Sequence, residues 1–243
     1  MKLAVMQPYL FPYIGYFQLI NKVDVFVVFD NVKYVKRGWI NRNKLRTSSV
    51  KAEYFTLPLE KASHHLDIVE RKIHKKEFIK FKLKLLNRVQ KNYSKADYYL
   101  DGLKIIESCL DLKADNLFKF INYSIKRIND YLDINTSMAV SSNLPVDHNL
   151  KAQDRVLSIC KNYKCSEYWN VYAGLKLYKF KDFSDQNVRL YFLKSFKNIL
   201  YDQKSDNFIS NLSILDVIMH NSKDRIRELL KKYHVIDSEC YTN

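Results

Sequence analysis

The chain has 243 residues, of which 47% are hydrophobic and 28% are charged, a balance typical of globular proteins and not of disordered or fibrous ones. No apolar run reaches the roughly 18 to 20 residues that a membrane-spanning helix needs. The apolar stretch that begins at Leu3 is ended by Gln7 and Pro8, which is too early for a secretory signal. We therefore expect a cytoplasmic protein without membrane insertion.

The net charge is +15, and 31 lysines contribute far more to it than 10 arginines do. A positive surface favours anionic partners, among which nucleotide-linked small molecules, nucleic acid and anionic lipid all qualify. Proteins that read base sequence usually cluster arginine, and this sequence has no arginine-rich segment. We expect no specific nucleic-acid partner, and the sequence leaves the oligomeric state open.

The first part of the chain is predicted to form strands and one short helix. Runs of β-branched and aromatic residues bounded by polar ones are typical of buried strands. The predicted elements are a strand at 2–6, a helix at 15–22, a strand at 23–29, and further strands at 52–59 and 65–70. A strand, a helix and a strand in succession predict a parallel pair with a right-handed crossover.

The middle of the chain is predicted to be helical, because apolar residues recur at helical spacing with lysines opposite. The expected helices span 75–93, 96–110 and 117–132, with Asp115 as the N-cap of the third. Strand signals then return. The later elements are strands at 135–140, 165–170 and 188–193, helices at 155–163 and 172–180, and a helical segment at 213–233 that breaks near Asn221 and Ser222.

This order predicts an α/β fold with a mostly parallel sheet, flanking helices and a helix-rich middle segment. We expect a single domain over residues 1–243. Whether residues 75–132 form a helical subdomain or insertion stays open at this point.

Residues 7–44 place turn-forming and polar residues directly after the first two predicted strands. Ligands of open α/β sheets bind beyond the carboxyl ends of the strands, so Gln7 and Tyr9 are predicted to contact a substrate. The helix that follows begins near Gly15, where backbone N–H groups suit a phosphate. The alternative is an aromatic-rich turn without a ligand.

The second predicted strand leads into a cationic segment with few acids. Its predicted substrate-binding residues are Tyr34, Lys36, Arg37, Trp39, Asn41, Arg42 and Asn43. The cations suit the oxygens of a di- or triphosphate, and the aromatic rings can stack on a base or a sugar. Asp30 is predicted to act as a base or to hold Mg²⁺. The alternative is a solvated basic loop in which Trp39 packs as an anchor.

The histidines and cysteines give weaker signals. His148, in a polar loop, and His220, near Asp216, are predicted acid–base residues. His64 and His65 point to opposite faces if they lie on a strand, so no metal site is predicted. The four cysteines have no zinc or redox spacing and are expected to be reduced, mostly buried thiols; they are Cys109, Cys160, Cys165 and Cys240.

Two blocks of sequence carry a resemblance to a known family. Q-P-Y-x-F-P-Y-x-G-Y-F, from Gln7, and D-V-F-V-x-x-D-N-V-x-Y-x-K-R-x-W-x-N-R-N, from Asp24, resemble the signature of the WbqC-like protein family. The segments YWNVYAGLKLY, LYDQ and SILDVIMHN are similar to weaker blocks of that family, so the resemblance covers nearly the whole chain. Asn31 stands where many members carry a second acid, so the resemblance does not imply a carboxylate pair here.

The resemblance implies a role in bacterial O-antigen or polysaccharide assembly, with glycine transfer onto an amino sugar as one activity. The P-Y-I-G-Y-F turn is also similar to the H-x-G-H region of adenylating enzymes such as pantothenate synthetase, with tyrosines in place of histidines. That second likeness implies ATP and Mg²⁺ as cofactors, although the sequence itself identifies none.

Together with the cationic segment after the second strand, the resemblance implies an N-acyltransferase that acts on a small-molecule partner, a nucleotide-linked amino sugar. The alternatives are a non-catalytic binder of nucleotide sugars and a nucleic-acid-binding protein. Weak binding to nucleic acid that disappears steeply with salt indicates only nonspecific lysine electrostatics.

Overall fold

A parallel sheet forms the centre of the computed structural model, which describes residues 1–47, 49–196, 199–205 and 207–237. Six strands pair in the order β5-β2-β1-β6-β7-β8, and all pairs are parallel except β7 with β8. The strands in chain order are β1 (Lys2–Met6), β2 (Val25–Val28), β3 (Arg42–Arg46), β4 (Ala52–Thr56), β5 (Ser137–Val140), β6 (Glu167–Val171), β7 (Arg189–Ser195) and β8 (Tyr233–Asp237). The α/β prediction is confirmed.

Helices cover both faces of this sheet. In chain order they are α1 (Ile14–Lys22), α2 (Lys75–Tyr93), α3 (Tyr99–Leu110), α4 (Leu117–Leu132), α5 (Ala152–Asn162), α6 (Phe180–Ser184), α7 (Ile214–His220) and α8 (Lys223–Leu229). The central strands are buried on both sides, because Ala4 and Met6 face one apolar cluster and Leu3 and Val5 face the other. Such double burial explains why these strands read as continuous apolar runs.

The sheet has a topological switch point between β1 and β6. From β1 the chain continues to β2 and then β5 on one side, whereas from β6 it continues to β7 and β8 on the other. The loops that follow β1 and β6 therefore diverge and leave a crevice at the carboxyl ends of these strands, where ligands of open α/β sheets bind.

Several predicted boundaries were wrong. The strand at 52–59 ends at Thr56 and pairs with β3 in a separate hairpin, not in the main sheet. The segment 65–70 contains a 3₁₀ helix at Ile68–Glu70, and the segment predicted as the 172–180 helix begins with a 3₁₀ helix at Tyr172–Leu177. In the first segment the 3₁₀ turn replaces the predicted strand. In the second, the 3₁₀ helix replaces the first part of the predicted α-helix.

Helix ends follow local side-chain chemistry. Asn116, not the predicted Asp115, caps α4, because its side chain accepts a hydrogen bond from the N–H of Lys119. Ser222 caps α8 after a break at Asn221, which confirms the predicted interruption of the C-terminal helical segment. Ser213 caps α7, because its hydroxyl oxygen accepts a hydrogen bond from the N–H of Leu215.

Two further features of the structure concern the cysteines and the length of the apolar helices. Cys109, Cys160 and Cys165 are free and buried as predicted, and Cys240 lies outside the described residues. Within the described part of the chain, no helix combines the length and apolarity that crossing a bilayer requires.

Candidate functional site at the carboxyl edge of the sheet

Asp30 lies directly after β2 and joins two strand ends. Its side chain is 0% exposed. One carboxylate oxygen accepts a hydrogen bond from the N–H of Ser142 at 2.9 Å, and the other accepts one from the Ser142 hydroxyl at 2.7 Å. Because both oxygens are engaged in holding the loop after β5, the structure places Asp30 as a support of the site and away from solvent.

His148 is brought to the same edge by tertiary contacts. Its Nδ1 lies 3.0 Å from Nδ2 of Asn31, which follows Asp30. The buried guanidinium of Arg155 fixes the surrounding loop, since it donates to the carbonyl oxygens of Asn31 and Leu150 at 2.8 Å each and also to that of His148. The imidazole is thus an exposed group on an anchored loop.

Two buried polar atoms at this edge lack hydrogen-bond partners among the described residues. They are Oδ1 of Asn31, after β2, and Oγ of Ser141, after the neighbouring strand β5. Buried polar atoms of native proteins are nearly always hydrogen-bonded, so an unpaired one requires an explanation. The unpaired Oγ of Ser141 is consistent with a polar ligand or ordered water in this place. Oδ1 of Asn31 gains a partner within the protein when its amide is rotated by half a turn, which brings this oxygen to Nδ1 of His148.

Asp67 is an acidic neighbour that the sequence did not single out. The bridge between Lys33 and Asp67 lays the segment that carries Asp67 against the extension of β2. Burial and the nearby Glu70 raise the pKa of the Asp67 carboxyl, the charge of Asp30 raises it further, and Arg155 and Lys33 oppose the increase. Carboxyls whose pKa is raised in this way are frequent at functional sites.

The raised pKa of Asp67 predicts a pH-dependent effect on stability. In the folded state the pKa of Asp67 lies above its ordinary value of 3.8. The contribution of this carboxyl to folding stability is therefore most favourable below pH 3.8, and it is lost as the pH rises through the folded-state pKa and the carboxyl ionises in its partly buried position. Asp67→Asn is therefore expected to melt at a higher temperature than the wild type at neutral pH. The difference in melting temperature should shrink towards acid pH, whereas Glu107→Gln, an exposed control on α3, should follow the wild-type curve.

The turn after β1 is lined by tyrosines. The Tyr16 hydroxyl donates to the carbonyl oxygen of Gln7 at 3.1 Å, and the Tyr9 and Tyr16 rings are in contact. Burial, and secondarily the neighbouring Tyr9, raises the pKa of Tyr13 to about 12, so this phenol stays protonated at neutral pH. Gln7 and Tyr9 are half-buried at the strand end, where the sequence predicted a ligand-contacting pair.

Gly15 lies in α1, and the space where a side chain would extend from it is occupied by other residues of the protein. A Cβ atom at this position would lie 2.3 Å from the Tyr13 ring and 2.8 Å from the Ser195 hydroxyl. The missing side chain therefore serves the packing of α1 against β7, and the space is already filled.

The cations of the segment after β2 divide into two groups. Lys36 and Arg37 are exposed and make no ion pair within the described residues. Arg42, in contrast, donates to the carbonyl oxygens of Arg37 and Gly38 and so closes the turn that displays them. The cations that remain available for an anionic ligand are Lys36 and Arg37, together with Lys33.

Trp39 lies on the hairpin and not in the crevice. Its ring is 43% exposed and contacts Tyr54, which is 44% exposed. Arg42 and Lys44 lie over the Tyr54 ring at 4.4 and 4.9 Å from its centroid. Such cation–π pairs stabilise the hairpin face, which is open to solvent.

Two predicted contact residues, Asn43 and Asn41, bind backbone carbonyl groups, and Tyr34 binds the side chain of Asn41. Asn43 Nδ2 donates to the carbonyl oxygens of Leu10 and Phe11 at 3.0 and 2.7 Å, and it holds the turn after β1 against β3. Asn41 donates to the carbonyl oxygen of Leu57 at 2.8 Å and accepts from the Tyr34 hydroxyl at 2.8 Å. These side chains therefore hold the backbone next to the candidate site and are not free to contact a ligand.

His220 belongs to a different part of the molecule. It is 7% exposed, its Nδ1 lies 2.8 Å from the carbonyl oxygen of Asp216, and its ring contacts Tyr93 and Tyr201. None of these contacts joins His220 to His148. Of the three predicted catalytic residues, the structure brings Asp30 and His148 to one edge and leaves His220 in the core.

The groups that the likeness to adenylating enzymes implied for ATP and Mg²⁺ are engaged within the protein. At the turn, the space beside Gly15 is filled and the Tyr16 hydroxyl is engaged with Gln7. Both oxygens of Asp30 are occupied by Ser142. Across the described ranges, no group of three or more His, Cys, Asp or Glu residues is arranged to hold a metal ion.

Comparisons with known proteins agree with the sequence blocks. A model of the WbqC-like protein family matches residues 7–228. The chain is 26% identical over 221 residues to "Uncharacterized protein Rv1507c" of Mycobacterium tuberculosis, an alignment that covers 90% of this chain and 93% of the relative. No solved structure matches. The matched range includes Asp30, His148 and Arg155.

Proposed function

Because the chain belongs to the WbqC-like protein family, we propose that it is an enzyme that acylates the amine of a nucleotide-linked sugar, with glycine as the acyl group. The supporting observation is the exposed imidazole of His148, held at the carboxyl edge of the sheet by Asn31 and by the loop bound to Arg155. An amine loses a proton as it attacks a carbonyl carbon, and an imidazole accepts a proton near neutral pH.

In the proposed reaction the sugar nitrogen forms a bond to the carbonyl carbon of an activated acyl donor, and the bond from that carbon to the leaving group breaks. Nε2 of His148 accepts the amine proton and passes it to the leaving group. This role needs the proton of the neutral imidazole on Nδ1, where Oδ1 of Asn31 accepts it after rotation of the amide by half a turn. Asn31 thus selects the tautomer.

The remaining residues bind and orient the substrate in this proposal. Lys33, Lys36 and Arg37 are exposed on the loop after β2 and suit the two phosphates of a nucleotide diphosphate. Gln7 lies at the switch point, within reach of a sugar in the crevice. In this proposal the donor arrives already activated, because both oxygens of Asp30 are bound to Ser142 and leave no free carboxylate oxygen there for Mg²⁺.

The test incubates the purified protein with a panel of nucleotide-linked 3-amino and 4-amino sugars. Each sugar is combined with a glycyl thioester, or with glycine and ATP, and the products are analysed by mass spectrometry. The expected result is a glycyl adduct of at least one sugar with the thioester. Failure of every sugar and donor to give an adduct would contradict the proposal.

A non-catalytic nucleotide-sugar binder is the second candidate. It is favoured by Asp30, which was the predicted base and is 0% exposed. Calorimetric titration separates the two functions, because the binder gives heat with a nucleotide sugar but no adduct with any donor. Loss of that heat in Lys36→Gln/Arg37→Gln assigns the binding to the loop after β2.

A further inference from the structure

Helix α2 carries an exposed apolar pair on the side away from the core. Its buried side packs inward through Phe81, Leu85 and Val89. On the opposite side Ile79 is 64% exposed and Leu83 is 59% exposed. Residues four apart lie on the same side of a helix, so these two aliphatic side chains form one protruding patch.

Lysines surround this patch. The 19-residue helix contains seven cationic residues, which are Lys75, Lys76, Lys80, Lys82, Lys84, Arg88 and Lys91, and a single acid, Glu77. Lys80 pairs with Glu77 and Lys82 with Asp111. Lys76 and Lys84 make no ion pair in the described part of the chain. Lys76 lies three residues before Ile79 on the same side of the helix, and Lys84 follows Leu83 at the edge towards the β3–β4 hairpin. We call Lys76, Ile79, Lys80, Leu83 and Lys84 the α2 face.

A cavity of about 400 Å³ adjoins the α2 face. It lies between the start of α2 and the turn after α3, with apolar walls from Phe78, Ile79, Leu110 and Leu112. Lys75 and Lys113 stand at its border, beside Lys82 and the carboxylate of Asp111 with which Lys82 pairs. An apolar groove bordered by ammonium groups suits an amphiphile whose head group is anionic.

We propose that the α2 face docks the protein on the surface of a bilayer that contains anionic phospholipids. An amphipathic helix with aliphatic side chains inside a lysine-rich face binds at the interface by inserting the apolar groups and by electrostatic attraction. A nucleic acid gives the exposed Ile79 and Leu83 no apolar contact. A second copy of the chain places two strongly positive faces together, which electrostatic repulsion opposes.

The inference does not depend on the reaction, and vesicle co-sedimentation tests it. Phosphatidylcholine vesicles with and without phosphatidylglycerol are the probes. Wild type is expected to sediment with the phosphatidylglycerol vesicles only. Ile79→Ser/Leu83→Ser should lose about a hundredfold in apparent affinity, because the inserted apolar area of two aliphatic side chains is removed without any change in charge. Lys76→Gln/Lys80→Gln/Lys84→Gln should lose about a hundredfold, at roughly fivefold per lysine.

Matched controls lie on the other layer of the molecule. Leu177 is 69% exposed in the 3₁₀ helix after β6, so Leu177→Ser removes a similar aliphatic group elsewhere. Lys161→Gln/Lys164→Gln removes exposed charge at the end of α5. Both controls should bind as the wild type does. The inference is overturned if Ile79→Ser/Leu83→Ser binds like the wild type, if the protein binds no vesicle, or if the face mediates only self-association or DNA binding.

Discussion

Asp216→Ala is expected to lower the free energy of unfolding by about 3–5 kcal/mol. The Asp216 side chain is 0% exposed. Its carboxylate accepts hydrogen bonds from the hydroxyls of Tyr93 and Tyr201 at 2.8 and 2.5 Å and from Gln203 Nε2 at 3.0 Å. Alanine leaves these buried donors without the shared acceptor, and each unpaired donor costs about 1–3 kcal/mol.

The donors come from distant parts of the chain, so the loss is expected to be cooperative. Tyr93 ends α2 and also accepts a hydrogen bond from the N–H of Arg46 on β3, while Tyr201 and Gln203 follow β7. Burial, and then the charge of Asp216, raises the pKa of both tyrosines, which therefore stay protonated and remain donors. The polar network ties the hairpin, α2, α7 and the segment after β7 together.

Denaturant unfolding measures the effect of Asp216→Ala, and Tyr201→Phe should show a smaller loss of about 1–3 kcal/mol. Asp202→Ala is the matched control. Asp202 follows Tyr201 in the segment after β7, and its ion-pair partner, Lys204, lies at the surface. Equal stability losses at positions 202 and 216 would show that the buried network carries no special weight.

Most strands of the central sheet could be predicted, because they carry a local signal in the sequence. Buried parallel strands are apolar almost throughout, which marks β1 and β2 in the sequence, whereas β7 is marked by apolar residues that alternate with Arg189 and Tyr191. Strand β3 was missed, although Asn43 and Leu45 point inward between the outward Arg42, Lys44 and Arg46. The alternation was not recognised because three of the five residues are cationic, which in a sequence is typical of a solvated loop. In the structure Arg42 and Lys44 lie over the aromatic ring of Tyr54 instead. Strand β8 was missed because it follows α8 without a turn signal.

The site was predictable only where residues directly follow a strand. Gln7 and Asp30 were placed at one edge by the parallel order alone. The contact of Asn31 with His148 joins residues 117 positions apart, which no local pattern reports. Arg155 was interpreted as part of a helical face, and only the fold shows that its guanidinium binds backbone carbonyls. The family blocks indicated that the edge matters but not which side chains face solvent.

His148→Gln is expected to reduce kcat of the proposed acyl transfer by about 100- to 10,000-fold, the usual contribution of general acid–base catalysis. Glutamine keeps a polar side chain on the anchored loop but cannot accept and return a proton. KM for the nucleotide sugar should change little, because Lys36 and Arg37 hold the phosphates in the proposal. A rise in KM with an unchanged kcat would instead identify His148 as a binding residue.

Asn31 provides the sharper test, because it acts through the imidazole. Asn31→Asp supplies only acceptor oxygens to Nδ1, which holds the proton there and leaves Nε2 as the base. This variant should retain activity, and the acid limb of its pH–rate profile should move to higher pH because a carboxylate favours the imidazolium. Asn31→Leu should lose most of kcat while the fold persists, since Arg155 binds the backbone of residue 31 and not its side chain. An Asn31→Asp profile identical to that of the wild type would remove Asn31 from the proton-transfer mechanism.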